Sequence, residues 1–101
     1  MADRSWGDLL REHCADLNDQ NVADAKFLGD DSALTSREKY LIAMLLDAAA
    51  NKPVGARGYG EKAVQAGASK DQILDALRVL RMFAGRPALA TACESLRQFE
   101  K

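Results

Sequence analysis

Acid–base, nucleophilic or anion-binding chemistry in this sequence rests on very few side chains. His13 is the single histidine, and so the one side chain whose ordinary pKa lies near neutrality, which suits a general acid or base. A histidine satisfied at the edge of a core has the same signature. Tyr40 and Tyr59 are the two tyrosines. In an apolar pocket a phenol donates a hydrogen bond to a developing enolate or acts as a general acid. It equally fills a core with its hydroxyl at the rim. Lys52 and Arg57 lie in the loop and first helical turn before Tyr59. They suit a carboxylate, Arg57 in bidentate fashion, although loop cations are often only solvated. Cys14 and Cys93 are far apart in sequence and belong to no metal-spaced cluster. They read as buried thiols on apolar helix faces, and a redox pair requires their helices to touch. Neither a metal nor a cofactor is expected.

Most of these groups are positioned by one stretch, Thr35 to Gly67. Leu41-Ile42-Ala43-Met44-Leu45-Leu46, running on into Ala48-Ala49-Ala50, is a helix apolar on nearly every face. Such a helix must be wrapped by other helices or by a partner subunit. Thr35-Ser36-Arg37-Glu38 is a capping box that opens it. Pro53 closes it, because the residue before proline is pushed out of helical geometry. A second helix follows from about Val54 to Ala66, with Gly67 as its left-handed terminator. Gly55, Gly58 and Gly60 weaken that helix by up to about 1 kcal/mol each relative to alanine. They suit a close helix–helix approach or room for a ligand.

The flanking segments are helical too. From Ser5 to about Leu17, Trp6, Leu9, Leu10, His13, Cys14 and Leu17 fall on one stripe, with Asp8, Arg11, Glu12 and Asp16 outside it. Trp6 reads as the anchor of that helix. Asn21 to Leu28 gives two turns, and Gly29-Asp30-Asp31-Ser32 a turn. Ser69-Lys70-Asp71-Gln72 is a second capping box, starting a helix whose apolar face is Ile73, Leu74, Leu77, Leu80 and Ala84. Gly85 ends it, and Pro87 suits the first turn of a closing helix with Leu89, Ala92, Cys93, Leu96 and Phe99 on one side. No segment alternates as a strand does, so the fold class is all-α, with about six short helices.

Composition bounds the function classes. The 101 residues make a single domain, 48% apolar with only two prolines, which leaves no disordered linker. The formal charge of −1 comes from acids and bases scattered along the chain. That excludes a nucleic-acid partner, which selects clustered Lys and Arg. Arg78, Arg81 and Arg86 at helical spacing read as a solvated or interface face. Charges interrupt the first residues, so no signal peptide is expected. The longest apolar run is too short to span a bilayer, so no membrane partner is expected either. A cytoplasmic protein with reduced thiols is the expectation. Many alanines and much apolar surface on a short chain point to self-association.

Three motifs in order carry a family resemblance. Leu34-Thr35-Ser36-Arg37-Glu38-Lys39-Tyr40-Leu41-Ile42-Ala43 resembles the opening of the carboxymuconolactone decarboxylase and alkylhydroperoxidase D-like superfamily. Ala63-Val64-Gln65-Ala66-Gly67-Ala68-Ser69-Lys70-Asp71-Gln72-Ile73-Leu74-Asp75-Ala76-Leu77 is similar to its helix–Gly-Ala–helix signature. Phe83-Ala84-Gly85-Arg86-Pro87-Ala88 resembles its Gly-x-Pro-Ala turn. The similarity covers about residues 34–99, with 1–33 as an N-terminal helical extension. It implies a helical fold completed as a trimer or hexamer.

Departures from the pattern bear on activity. Peroxidatic members carry Cys-x-x-Cys, a histidine four residues on, and a glutamate about three turns upstream. The resemblance places those positions at Lys52, Gly55, Tyr59 and Tyr40, so the dithiol and its proton relay are not there. It also implies that Tyr40 and Tyr59 face each other across the loop. The expectation is a carboxymuconolactone decarboxylase-like protein without the dithiol. It binds a small carboxylate or lactone, and any catalysis is proton transfer of the lyase or isomerase kind. His13, Tyr40 and Tyr59 then act as acids, bases or donors, with Lys52 and Arg57 as anion binders. The alternative is a non-catalytic oligomeric module. Thiol peroxidase or disulfide reductase chemistry, common in the wider family, is disfavoured.

Overall fold

Two capping boxes set the frame. In the computed structural model, which describes residues 3–100, the Thr35 hydroxyl accepts from the Glu38 N–H at 3.1 Å. The Glu38 carboxylate accepts the Thr35 N–H in return at 2.9 Å. Ser69 and Gln72 repeat the exchange at 3.1 and 3.0 Å. Each box satisfies donors that a helix start leaves orphaned, an effect of about 1 kcal/mol.

Among the described residues, five α-helices and a closing 3₁₀ helix follow in order: α1 (Trp6–His13), α2 (Ala15–Gly29), α3 (Ser36–Ala49), α4 (Pro53–Gln65), α5 (Lys70–Ala92) and the 3₁₀ helix Cys93–Phe99. There is no strand among the described residues, so the all-α expectation holds. No described helix is long and apolar enough to cross a membrane. The chain divides into two compact units, one ending at Asp31 and the other starting at Ser32.

In the N-terminal unit, the helix expected from Ser5 to Leu17 is broken. Cys14 is extended (φ −153°, ψ 97°), so α1 stops at His13 and a new helix begins at Ala15. The two turns expected at Asn21–Leu28 are the second half of the fifteen-residue α2. Neither helix buries a residue fully, and Trp6, read as an anchor, is 67% exposed. Exposed ion pairs join Arg4 to Glu12, Arg11 to Asp8, and Lys26 to Asp30 at 2.6 Å. Solvent and salt screen exposed pairs of this kind, so they contribute little to stability.

In the second unit, α3 and α4 form a hairpin. Asn51 (φ 59°) takes the left-handed residue of the turn, a role asparagine tolerates. Its N–H donates to the Ala48 carbonyl at 3.0 Å, and the Lys52 N–H to the Asp47 carbonyl at 2.8 Å. This is a Schellman closure, with Pro53 then starting α4. The same closure ends α4, with Gly67 (φ 109°) in the left-handed place. The Thr91 hydroxyl donates to Asn51 Oδ1 at 2.9 Å, tying the hairpin turn to the end of α5.

Small residues let these helices meet closely. Ala48, Ala56, Ala63 and Ala92 are fully buried around Met44 and Ile73, with Ala68, Leu77, Leu80 and Ala88 completing the core. Of the apolar face expected on α5, Ile73, Leu77 and Leu80 are buried, whereas Ala84 is exposed. The all-round apolar α3 is wrapped on one side only, leaving Leu46 65% exposed. Gly85 interrupts α5 with non-helical torsions (φ 83°, ψ −174°), as the sequence pattern predicts. Beyond Ala92 the closing segment tightens into 3₁₀ geometry.

Candidate functional site

The α3–α4 hairpin is where most of the chemistry-bearing side chains gather. Tyr40 leaves α3 one turn after its capping box, and Tyr59 leaves the antiparallel α4 opposite it. Their rings stack with centroids 6.3 Å apart and planes 23° from parallel, and both side chains are half-buried against the core. Such ring pairs add about 0.5–1.5 kcal/mol beyond the area they bury. The two tyrosines therefore meet as the resemblance implies.

A third group, not anticipated, completes the cluster. The Lys62 ammonium lies 5.8 Å from the Tyr40 ring centroid and 6.0 Å from that of Tyr59. Lys62 follows Tyr59 by three positions, which puts both on one side of α4. That spacing is legible in the sequence; what it leaves open is the ring pair for the cation to cover. At an exposed site each cation–π contact contributes about 0.5–1 kcal/mol. The cluster thus combines two phenol groups with one fixed positive charge. Lys39, one residue before Tyr40, is a buried cation of the same helix.

Of the anion binders expected here, Lys52 is the exposed residue immediately before α4. It precedes Tyr59 by seven positions, two helical turns, and so starts the same side of the helix. Arg57 is also exposed but is not beside the tyrosine. Two positions along an α-helix are about 200° apart, so Arg57 and Tyr59 leave α4 on opposite sides. Its charge acts instead on Glu94. A hydrogen bond from Arg97 (2.7 Å) holds the Glu94 carboxyl below the ordinary range, and the charges of Arg97 and Arg57 add to the effect.

At the turn end of the hairpin, Gly55 lies against Asp47. A Cβ at position 55 would fall 2.0 Å from Asp47 Oδ2 and 2.8 Å from its Cγ, so any side chain there requires the carboxylate to swing away. Asp47 follows Tyr40 by seven positions on α3, and that two-turn spacing is its one signal in the sequence.

His13 is the last residue of α1, exposed, in the N-terminal unit rather than in the hairpin. The cysteines depart from the buried-thiol reading: Cys14 is half-buried and Cys93 is exposed, and both are free. No group of three or more His, Cys, Asp or Glu side chains among the described residues has metal-binding geometry.

A family model described as "Carboxymuconolactone decarboxylase family" matches residues 18–98. The match begins sixteen positions before Leu34, inside α2, so it also takes in part of the segment that the motifs leave as an extension. No curated protein and no solved structure matches the chain.

Proposed function

The chain belongs to the carboxymuconolactone decarboxylase family, and from that premise we propose that it binds a small carboxylate or lactone at the Tyr40–Tyr59–Lys62 cluster. Any turnover there is proton transfer of the lyase or isomerase kind. The observation that carries this reading is the stacked pair of phenols under one ammonium. A carboxylate, or the enolate that forms when a proton leaves the carbon beside a carbonyl, needs donors and positive charge where its own charge develops. The phenol hydroxyls supply the donors and Lys62 the charge, with Lys52 adding a second cation along the same side of α4. Peroxidase chemistry fits poorly, because it needs a nucleophilic thiol with a resolving thiol beside it. The hairpin has Lys52 and Gly55 where the resemblance places that pair.

A second reading, a non-catalytic oligomeric module, draws on the apolar surface of the second unit. Val54, Phe83, Met82 and Leu46 are between 65% and 86% exposed. Side chains of this kind gain from being covered by another copy of the chain.

One experiment separates the two. Thermal unfolding is measured against a panel of small carboxylates, lactones and aromatic acids, for the native chain and for Tyr59→Phe and Lys62→Ala. A ligand at about a hundred times its dissociation constant adds about 2.7 kcal/mol of stability. The ligand reading expects a shift for at least one compound, reduced in both variants, which themselves remain folded. No shift across the panel, or shifts indifferent to both substitutions, leaves the module reading in place.

A further inference from the structure

The bend in α5 creates a cleft that shares no residue with the tyrosine cluster. Gly85 sits at φ 83° and ψ −174°, a region of backbone space that essentially only glycine occupies. Before the bend, Leu74, Leu77, Arg78 and Arg81 recur at i, i+3, i+4 and i+7, which is one side of a helix. After it, Leu89, Cys93 and Leu96 recur at i, i+4 and i+7. The bend turns the two stripes toward each other across a cleft of about 230 Å³. A shallower shelf continues from Leu89 and Cys93 past Pro87 and Ala90 to Arg86.

The lining has one chemical character. Four leucines supply apolar walls, the arginines supply the charge, and no acidic side chain lines the cleft or the shelf among the described residues. Arg78 is engaged on its own turn by Asp75, at 2.6 Å. Arg81 and Arg86 make no ion pair among the described residues. An apolar trough rimmed by uncompensated guanidinium groups is complementary to a molecule with an apolar body and a single anionic end. A guanidinium fork matches a carboxylate best. Size narrows the class further. A cavity of about 150 Å³ holds benzene, so 230 Å³ takes a body of about nine heavy atoms.

We propose that this cleft is a binding site for a medium-length alkyl or aryl carboxylate. The tail lies along Leu74, Leu77, Leu89 and Leu96, the carboxylate is held by Arg81, and Arg86 on the adjoining shelf adds positive charge. Cys93, exposed on the wall, is shielded when the tail is in place.

That thiol gives the test a built-in reporter. Cys14→Ser leaves Cys93 as the single thiol of the chain, and its reaction rate with a small disulfide reagent is followed at increasing octanoate, with 1-octanol as the uncharged control. At ten times its dissociation constant, octanoate leaves about one molecule in eleven unliganded, so the rate is expected to fall about tenfold. Octanol is expected to protect far less. Arg81→Glu combined with Arg86→Glu, checked as folded by circular dichroism, is expected to abolish the octanoate effect without changing that of octanol. Equal protection by octanol and octanoate, no protection by octanoate, or octanoate protection that survives the double substitution would each overturn the proposal. So would a thiol that is unreactive without ligand and becomes reactive on dilution, because a second copy of the chain would then fill the cleft.

Discussion

The contact between α4 and the closing 3₁₀ helix has a single narrow point, and alanine at Gly60 tests it. A Cβ added there would lie 2.5 Å from Ser95 Cβ, 3.3 Å from Ser95 Cα and 3.2 Å from Met44 Sδ. Carbon atoms in contact prefer about 3.5–4.0 Å, so Ser95 must retreat by about 1 Å. Nothing nearby gives easily. Ser95 and Met44 are wholly buried, the Ser95 hydroxyl donates to the Ala92 carbonyl at 2.7 Å, and the backbone of the 3₁₀ helix is itself part of the clash. Overpacking of this kind costs about 1–3 kcal/mol. Replacing a mid-helix glycine with alanine returns about 1 kcal/mol of backbone entropy. The net expectation for Gly60→Ala is a loss of up to about 2 kcal/mol.

Gly58 is the internal control. It lies in the same helix, two residues earlier, and a Cβ there meets nothing within 4 Å. Gly58→Ala therefore keeps the entropy gain without the clash and is expected to stabilise by up to about 1 kcal/mol. The difference between the two variants cancels the backbone term and isolates the packing term. In a folded unit of this size each kcal/mol moves Tm by about 4–8 °C. Gly58→Ala should then raise Tm by up to about 8 °C and Gly60→Ala lower it by up to about 16 °C. Melting curves by circular dichroism at one fixed protein concentration provide the measurement, since self-association makes Tm depend on concentration. If both variants gain equally, the 3₁₀ helix does not pack on α4 at Gly60.

Two other perturbations test separate parts of the frame. Gly85→Ala forces a side chain into a backbone region that costs about 1–3 kcal/mol for residues other than glycine; Tm should fall, and the reactivity of Cys93 should change because the two stripes of the cleft no longer meet as they do. An unchanged Tm would show that the bend does not depend on glycine. Hydrogen bonds from the Thr35 N–H and hydroxyl hold the Glu38 carboxyl below its ordinary value, so its ionised form stabilises the folded chain above the ordinary carboxylate pKa of about 4.3. That contribution is lost as pH falls through the lowered value. In Glu38→Gln it is absent, so the Tm gap between the two proteins should be constant above about pH 5 and close on acidification. A gap that does not change on acidification contradicts the assignment.

The parts of the fold that could be read in the sequence are those decided locally. Thr35 with Glu38, and Ser69 with Gln72, specify helix starts within four residues, and Gly67 and Gly85 specify helix ends through torsions that other residues resist. Periodicity is a weaker guide, because it reports a shared face and not a continuous backbone. The stripe from Trp6 to Leu17 keeps its helical spacing across Cys14, yet the chain there is extended. Amphipathic spacing is likewise silent on what covers the apolar side, which is why Trp6 is exposed where an anchor was expected.

The same distinction runs through the two sites. Tyr40 and Tyr59 meet because a hairpin closed at Asn51 and Pro53 brings α3 and α4 together antiparallel, so a motif resemblance was enough to pair them. Arg57 is close to Tyr59 in sequence, but an α-helix turns neighbours two apart to opposite sides, while Lys62, three apart, stays with it. In the cleft both stripes are plain in the sequence, one on each side of Gly85. That they face each other follows from the torsion angles of that one residue, and these set the direction of everything after it. A site assembled from two helical faces is therefore predictable in its residues before it is predictable in its geometry. The arginines of α5, which sequence alone gives as a solvated or interface face, suit the proposed ligand class only because the bend places Leu89 and Leu96 opposite them.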